Sequence, residues 1–184
     1  IPISKLHISR SLKKFCRKKK YEFSINHDFL STISNCANRE ETWINKSIIS
    51  TYKTLHDLGY AHSIEVWEDN KLKGGLYGVA IGKVFFAESM FSTSSNGSKL
   101  ALIALMGTLA LNQFLLLDVQ FMTNHLRTMG AKEISRALFL NLIKKSSTEK
   151  VEFNAPSSAI IDEMLISRAE MKSLVGISKL KHQI

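Results

Sequence analysis

Apolar positions first recur at helical spacing. Over residues 28–38, Phe29, Ile33 and Cys36 fall at i, i+4 and i+7, one face of a helix. A second helix starts at Asn45 or Ser47 and runs through Leu58. Ile48, Tyr52 and Leu55 share its face, and Gly59 is placed to stop it. From His62 the period changes to two: Ile64 and Val66 alternate with Ser63, Glu65 and Trp67, predicting a strand over 62–68. Asp69-Asn70 marks a turn. Strands over 72–80 and 83–88, broken at Gly82, continue an antiparallel meander. A polar loop over 92–97 leads to an apolar helix from Ser98 to about Asn112, then a short strand over 115–120. Helical pieces follow over 125–129 and 136–144. Ahead of these, residues 4–17 mix Leu6, Ile8, Leu12 and Phe15 with basic side chains and read as a strand or a short helix. Beyond Ser146 the chain is polar, then amphipathic over 160–171.

Antiparallel strands, a buried helix and then a short apolar strand make an α+β pattern, in the order of acetyltransferase-like folds: a mixed sheet with flanking helices. The organisation expected is a basic leading segment over 1–20, a transferase-like domain over 21–145 and a tail over 146–184. The run over 98–117 is about long enough to cross a bilayer. Asn112-Gln113 and Gly107-Thr108 interrupt it, so a buried helix and strand is the better reading, with no membrane partner. At 184 residues, 45% hydrophobic and 22% charged, the chain supports one ordinary core and is not disordered. Cys16 and Cys36 are too few for a disulfide scaffold and read as free thiols of a cytoplasmic, reducing compartment. No Cys/His cluster has zinc spacing. The chain opens on Ile1 rather than Met, which points to processing or to sequence upstream in the parent protein.

Charge changes the picture. Residues 1–20 hold eight Lys and Arg side chains and no acid, so nearly all of the net +9 sits there. Such a segment suits a polyanion, because each cation that meets a phosphate releases a counterion. A solvated basic face is the plainer alternative. No apolar stretch of the signal-peptide kind follows it.

Several ordered stretches then carry a resemblance. They are Leu6-His7-Ile8-Ser9-Arg10-Ser11, Thr42-Trp43-Ile44, Leu55-His56, and Ala61 through Trp67. Gly74-Gly75-Leu76-Tyr77-Gly78-Val79-Ala80, Phe85 with Glu88-Ser89-Met90-Phe91-Ser92, Ser98-Lys99 with Ala101-Leu102, Asp118-Val119-Gln120, His125-Leu126 and Gly130-Ala131-Lys132-Glu133-Ile134 complete the set. Over residues 5–143 the chain resembles the bacterial leucyl/phenylalanyl-tRNA–protein transferases. The resemblance implies an acetyltransferase-like domain that moves Leu or Phe, and sometimes Met, from aminoacyl-tRNA to the N-terminal Arg or Lys of a protein. That new N-terminus marks the protein for proteolysis. The family's N-terminal domain, with its Gly-x-Phe-Pro-Trp motif and adenosine-holding aromatics, has no counterpart in this sequence. The family's Glu-Ile-Pro-Arg reads Glu133-Ile134-Ser135-Arg136, and the usual Gly before Glu88 is Ala87.

An aminoacyl ester is already activated, so the implied reaction requires no ATP, metal or other cofactor. It needs positioning and a well-placed polar pair. Asp118 and Gln120 fit that catalytic role: at i and i+2 on a strand they share a face, Asp118 to orient the amine and Gln120 to hold the carboxylate or ester. Read without the resemblance, Asp118 is more simply a turn or helix N-cap residue and Gln120 a solvated strand residue. By resemblance the donor side chain is lined by Leu76, Phe85, Met90 and Leu102, with Leu105 and Leu117 as further members. Ordinary core positions are the alternative. Trp43 offers a flat face to the donor's end, or is a structural Trp. Glu88 binds the acceptor's cationic N-terminus, or is a solvated strand-end carboxylate. Arg10, Lys13, Lys14 and Arg17 meet tRNA phosphates. The expected partners are Leu- and Phe-tRNA and polypeptides beginning with Arg or Lys, and the expected state is a monomer. Two rival functions are a non-catalytic tRNA-binding remnant and an acyl-CoA-dependent N-acyltransferase. The single glycine in the loop over 93–98 argues against acyl-CoA.

Overall fold

The computed structural model describes residues 7–18, 21–146 and 152–154. Within the basic leading segment, Arg10–Lys18 form a helix, α1. After it come β1 (Glu22–Ile25), α2 (Phe29–Ala37), α3 (Lys46–Asp57), β2 (Ala61–Glu68), β3 (Lys71–Ile81) and β4 (Val84–Ser92). Then follow α4 (Gly97–Leu111), β5 (Leu116–Asp118), α5 (Asn124–Thr128) and α6 (Arg136–Ser146). The α+β expectation holds. Lys5, Lys19, Lys20 and the expected amphipathic stretch over 160–171 lie outside the described residues.

Local chemistry sets the helix ends. Asp28 caps α2, its Oδ1 accepting from Ser31 N at 3.0 Å. Asn45, not Ser47, caps α3, accepting from Ile48 N at 3.0 Å. At the far end Gly59 takes φ +78°. Its N–H donates to His56 O, and that of Tyr60 to Leu55 O, closing the helix in a left-handed C-terminal motif.

The five strands lie in the order β1-β2-β3-β4-β5. The first four are antiparallel, and β5 joins β4 in parallel after the crossover through α4. One face carries α4, with Leu12 of α1 buried in the same cluster. The other carries α2 and α3 around Phe29, Ile33 and Tyr77. The helix α4 is buried on nearly every side, which explains why its sequence reads like a span. Among the described residues no helix is long and apolar enough to cross a membrane. Close approach fixes its start: a Cβ on Gly74 would fall 2.4 Å from the Gly97 carbonyl carbon, so β3 and α4 meet backbone to backbone.

Four features depart from the sequence pattern. Strand β1 was not expected, since its four residues hold only Phe23 and Ile25 as apolar positions. Cross-strand polar bonds hold it. Ser24 Oγ donates to Glu65 Oε2 at 2.6 Å and accepts from Trp67 Nε1 at 2.7 Å. Glu65, expected on an outward face, is fully buried and also accepts from Ser63 Oγ. Strand β4 runs on to Ser92 instead of ending at Glu88. Strand β5 stops at Asp118 instead of Gln120. Past α6, Phe153 stacks on His62 at 4.1 Å between ring centroids and on Phe85 at 5.4 Å.

Candidate active site

The site is built on a bulge. Tyr77 pairs with Ser89 and Gly78 with Ala87, so Glu88 is the extra residue of β4. Ala87 and Met90 both pack on the α4 face. Between them Glu88 and Ser89 both turn toward α2 and α3, which strict alternation forbids. Gly78 permits the close pairing, because a Cβ there would lie 2.2 Å from Phe86 O.

Glu88 is thereby aimed at two partners from other elements. The Tyr52 hydroxyl of α3 hydrogen-bonds it. Gln120 Nε2 donates to Glu88 Oε2 at 3.0 Å and approaches Ala87 O at 3.3 Å. Burial, then the charge of Glu88 and the hydrogen bond to it, push the Tyr52 phenol up to about 12, so it stays protonated. Next along β4, Arg39 at the end of α2 donates to Ser89 Oγ at 3.1 Å and Met90 O at 2.9 Å. Burial pushes the Cys36 thiol up to about 12 and leaves it a protonated core residue. Tyr77 is raised too, chiefly by burial, and its hydroxyl has no hydrogen-bond partner among the described residues.

Asp118 and Gln120 come together, but not as two residues on one strand face. Gln120 lies past the end of β5 at φ +58°, a left-handed conformation that costs a non-glycine residue on the order of 1 kcal/mol. Asp118 holds that turn, its Oδ1 accepting from Gln120 N at 2.9 Å. Asp118 is thus a turn residue whose product is the position of Gln120. Both line an open cleft of about 430 Å³ with Phe121, Lys132, Glu133 and Arg136.

Of the expected donor-pocket residues, Leu117 alone also lines this cleft. Leu76, Phe85, Leu102, Leu105 and Leu117 are fully buried in one core cluster. Met90 alone among them is partly exposed, and it lines a hollow of about 290 Å³ with Asn35 and Arg39. Trp43 stands exposed between α2 and α3. Arg10 and Lys14 lie on the exposed face of α1, and Lys13 is half-buried. The side chain of Arg17 lies outside the described residues. Sequence reasoning missed Tyr52 as a partner of Glu88, and Arg39 altogether. Among the described residues no three His, Cys, Asp or Glu side chains gather as metal ligands.

The sequence profile of a family described as leucyl/phenylalanyl-tRNA protein transferase matches residues 1–144. A relative from Dinoroseobacter shibae, named leucyl/phenylalanyl-tRNA–protein transferase, is 46% identical over 84% of this chain and 70% of its own length. One of the same name from Maricaulis maris is 46% identical over 92% of this chain and 78% of the relative. Another from Zymomonas mobilis is 48% identical over 79% of this chain and 56% of the relative. With most of its length matched by the profile and by relatives at this identity, the chain belongs to the leucyl/phenylalanyl-tRNA protein transferase family of aminoacyltransferases.

Proposed function

We propose that this chain transfers Leu or Phe, with Met as a further donor, from aminoacyl-tRNA to the N-terminal Arg or Lys of a polypeptide, and so marks that polypeptide for proteolysis. The observation that carries the reading is Gln120 Nε2 held 3.0 Å from Glu88 at the open cleft. With its amide nitrogen committed to Glu88 and Ala87, Gln120 presents Oε1 as an acceptor. That oxygen takes a hydrogen bond from the acceptor's α-amine and aims the nitrogen lone pair at the ester carbonyl. An α-amine has a pKa of about 7.7–8.0, so an appreciable fraction is neutral near pH 7 without a strong base. The C–N bond forms, the bond from carbonyl carbon to ribose oxygen breaks, and the amine's proton passes to the ribose oxygen. The negative charge of Glu88 favours the cationic N-terminus on arrival.

For the donor side chain we place Leu76, Phe85 and Leu102 as the floor of an apolar seat and Met90 as its mouth. Trp43 is the flat surface for the terminal adenosine. Met90 supports this reading by being the partly exposed member. A flexible thioether suits side chains of several shapes, and one methylene is worth only about 1–3 kcal/mol of discrimination. Met90→Ala should therefore alter the Leu:Phe:Met transfer ratio by severalfold with little change in melting temperature. An unchanged ratio with a large fall in melting temperature would return Met90 to the core.

The test of the whole reading is transfer from Leu-tRNA to a peptide beginning with Arg. Asp118→Ala removes the acceptor that holds Gln120 and should cost at least about tenfold in rate, roughly 1.4 kcal/mol of transition-state stabilisation. Asp118→Asn keeps an oxygen for that bond and should retain most of the activity. Transfer from acyl-CoA but not from aminoacyl-tRNA would sink the assignment.

A further inference from the structure

We propose that Phe121, Lys132 and Arg136 form a track for the single-stranded 3′ end of the tRNA, joining the basic helix α1 to the reacting ester. The inference rests on the aminoacyl-tRNA reading above.

The donor is held at two places, its duplex stem on a basic surface and its ester beside Gln120. The nucleotides between them are unpaired, flexible and charged. Packing shows which residues bridge the two places. His7 N donates to Met129 O at 3.1 Å, and Leu12 of α1 is buried in one cluster with Leu126, Met129 and Ala131. The next residue, Lys132, lines the cleft that holds Asp118 and Gln120, and so does Arg136. One continuous stretch of chain therefore bonds to the residues leading into α1 at one end, shares a core cluster with Leu12 of that helix, and lines the reaction site at the other.

The chemistry of this stretch suits a nucleic acid strand. Lys132 and Arg136 are exposed, and neither forms an ion pair with a described residue. Glu133 is the one acid over residues 121–146, against Arg127, Lys132, Arg136, Lys144 and Lys145. Phe121 in the same cleft is 81% exposed, the highest value among the exposed large hydrophobic side chains, directly after Gln120. An aromatic face beside free cations matches a single-stranded nucleotide, whose base stacks while its phosphate pairs. Such contacts read no sequence, as a donor site for several tRNAs requires. The acceptor polypeptide is the poorer occupant. Its N-terminus carries an α-ammonium and a cationic side chain, which Glu88 draws to Gln120, whereas Phe121, Lys132 and Arg136 offer a stacking face and two cations that suit a nucleotide better than a cationic peptide end.

The experiment pairs changes in the protein with changes in the RNA. Binding of uncharged tRNA to the full chain is measured for intact tRNA and for tRNA trimmed of its unpaired 3′ nucleotides. Lys132→Gln with Arg136→Gln should weaken intact tRNA by about tenfold or more near 0.1 M salt and leave trimmed tRNA unaffected. The log–log salt slope should flatten by roughly 0.7 per charge removed, the single-strand value. Phe121→Ala, a surface change that leaves folding intact, should weaken intact tRNA alone by about tenfold. Arg10→Gln with Lys14→Gln should weaken both RNAs equally. Equal weakening of both RNAs by the Lys132/Arg136 changes would overturn the track. So would unchanged tRNA binding with a raised KM for the acceptor peptide, which would give the cleft to the polypeptide. If the unaltered chain binds neither RNA, the aminoacyl-tRNA reading itself fails, a result distinct from failure of the track.

Discussion

Replacing His62 by glutamine should remove most of one proton's worth of acid sensitivity from the fold. His62 is buried, its Nδ1 accepting from Asn26 Nδ2 at 3.1 Å, and lies under Phe153. Burial, helped by the neighbouring His56 and opposed by a hydrogen bond with Gly59, pushes its imidazole down to about 4. In the unfolded chain the group titrates near 6.5. Between those values the unfolded state binds the extra proton, so stability rises with pH there and falls as pH drops from 6.5 toward 4. The loss attributable to His62 between pH 7 and pH 5 is about 2 kcal/mol. Urea unfolding of both proteins at pH 7, 6 and 5 measures it. The wild-type midpoint should fall more steeply than that of His62→Gln. Parallel profiles would mean that His62 takes up its proton as readily folded as unfolded.

Much of the scaffold under that histidine was legible in the sequence, because it rests on local signals. The spacing of Phe29, Ile33 and Cys36, the caps Asp28 and Asn45, and Gly59 each act within one or two turns of chain. The meander also follows from local alternation, with Asp69 and Asn70 both at positive φ in the predicted turn. What stayed hidden depends on partners distant in sequence. Strand β1 exists because Ser24 meets Glu65 and Trp67, more than forty residues on.

The same distinction divides the site. Its residue names came from a resemblance, and its geometry from the fold. Asp118 and Gln120 were expected to share a strand face, an inference that holds only if the strand continues. The Asp118 side chain ends the strand instead, by capping the turn that swings Gln120 toward Glu88. One signal of the bulge was present: inward positions at Phe85, Ala87 and then Met90 break the period of two. Nothing in β4 alone says which residue is extra. The pairing of Gly78 with Ala87 decides that. Tyr52 was placed correctly on the inner face of α3, and only the packing of α3 on the sheet shows that its hydroxyl reaches Glu88.

Glu88→Ala should lower kcat/KM by about tenfold to a hundredfold while the fold persists. Glu88 is half-buried and sits in neither core cluster, so removing it leaves the sheet packing intact. It does release Gln120. A hydrogen bond to a charged group contributes about 1.5–3 kcal/mol, and each 1.36 kcal/mol is tenfold in rate. With Nε2 held only by its longer bond to Ala87 O, the Gln120 amide can rotate and point nitrogen instead of oxygen at the amine, which presents a donor where an acceptor is needed. Glu88→Gln keeps an oxygen for the bond but loses the charge, and should fall about tenfold. Tyr52 supplies the second contact to Glu88, so Tyr52→Phe should cost less than Glu88→Ala. Because Tyr52 acts through Glu88, the double variant should be no slower than Glu88→Ala alone, a non-additivity read directly from a double-mutant cycle. Full additivity would show that Tyr52 touches the substrate by its own route. A Glu88→Ala protein transferring leucine at the unaltered rate would remove the Glu88–Gln120 bond from the reaction.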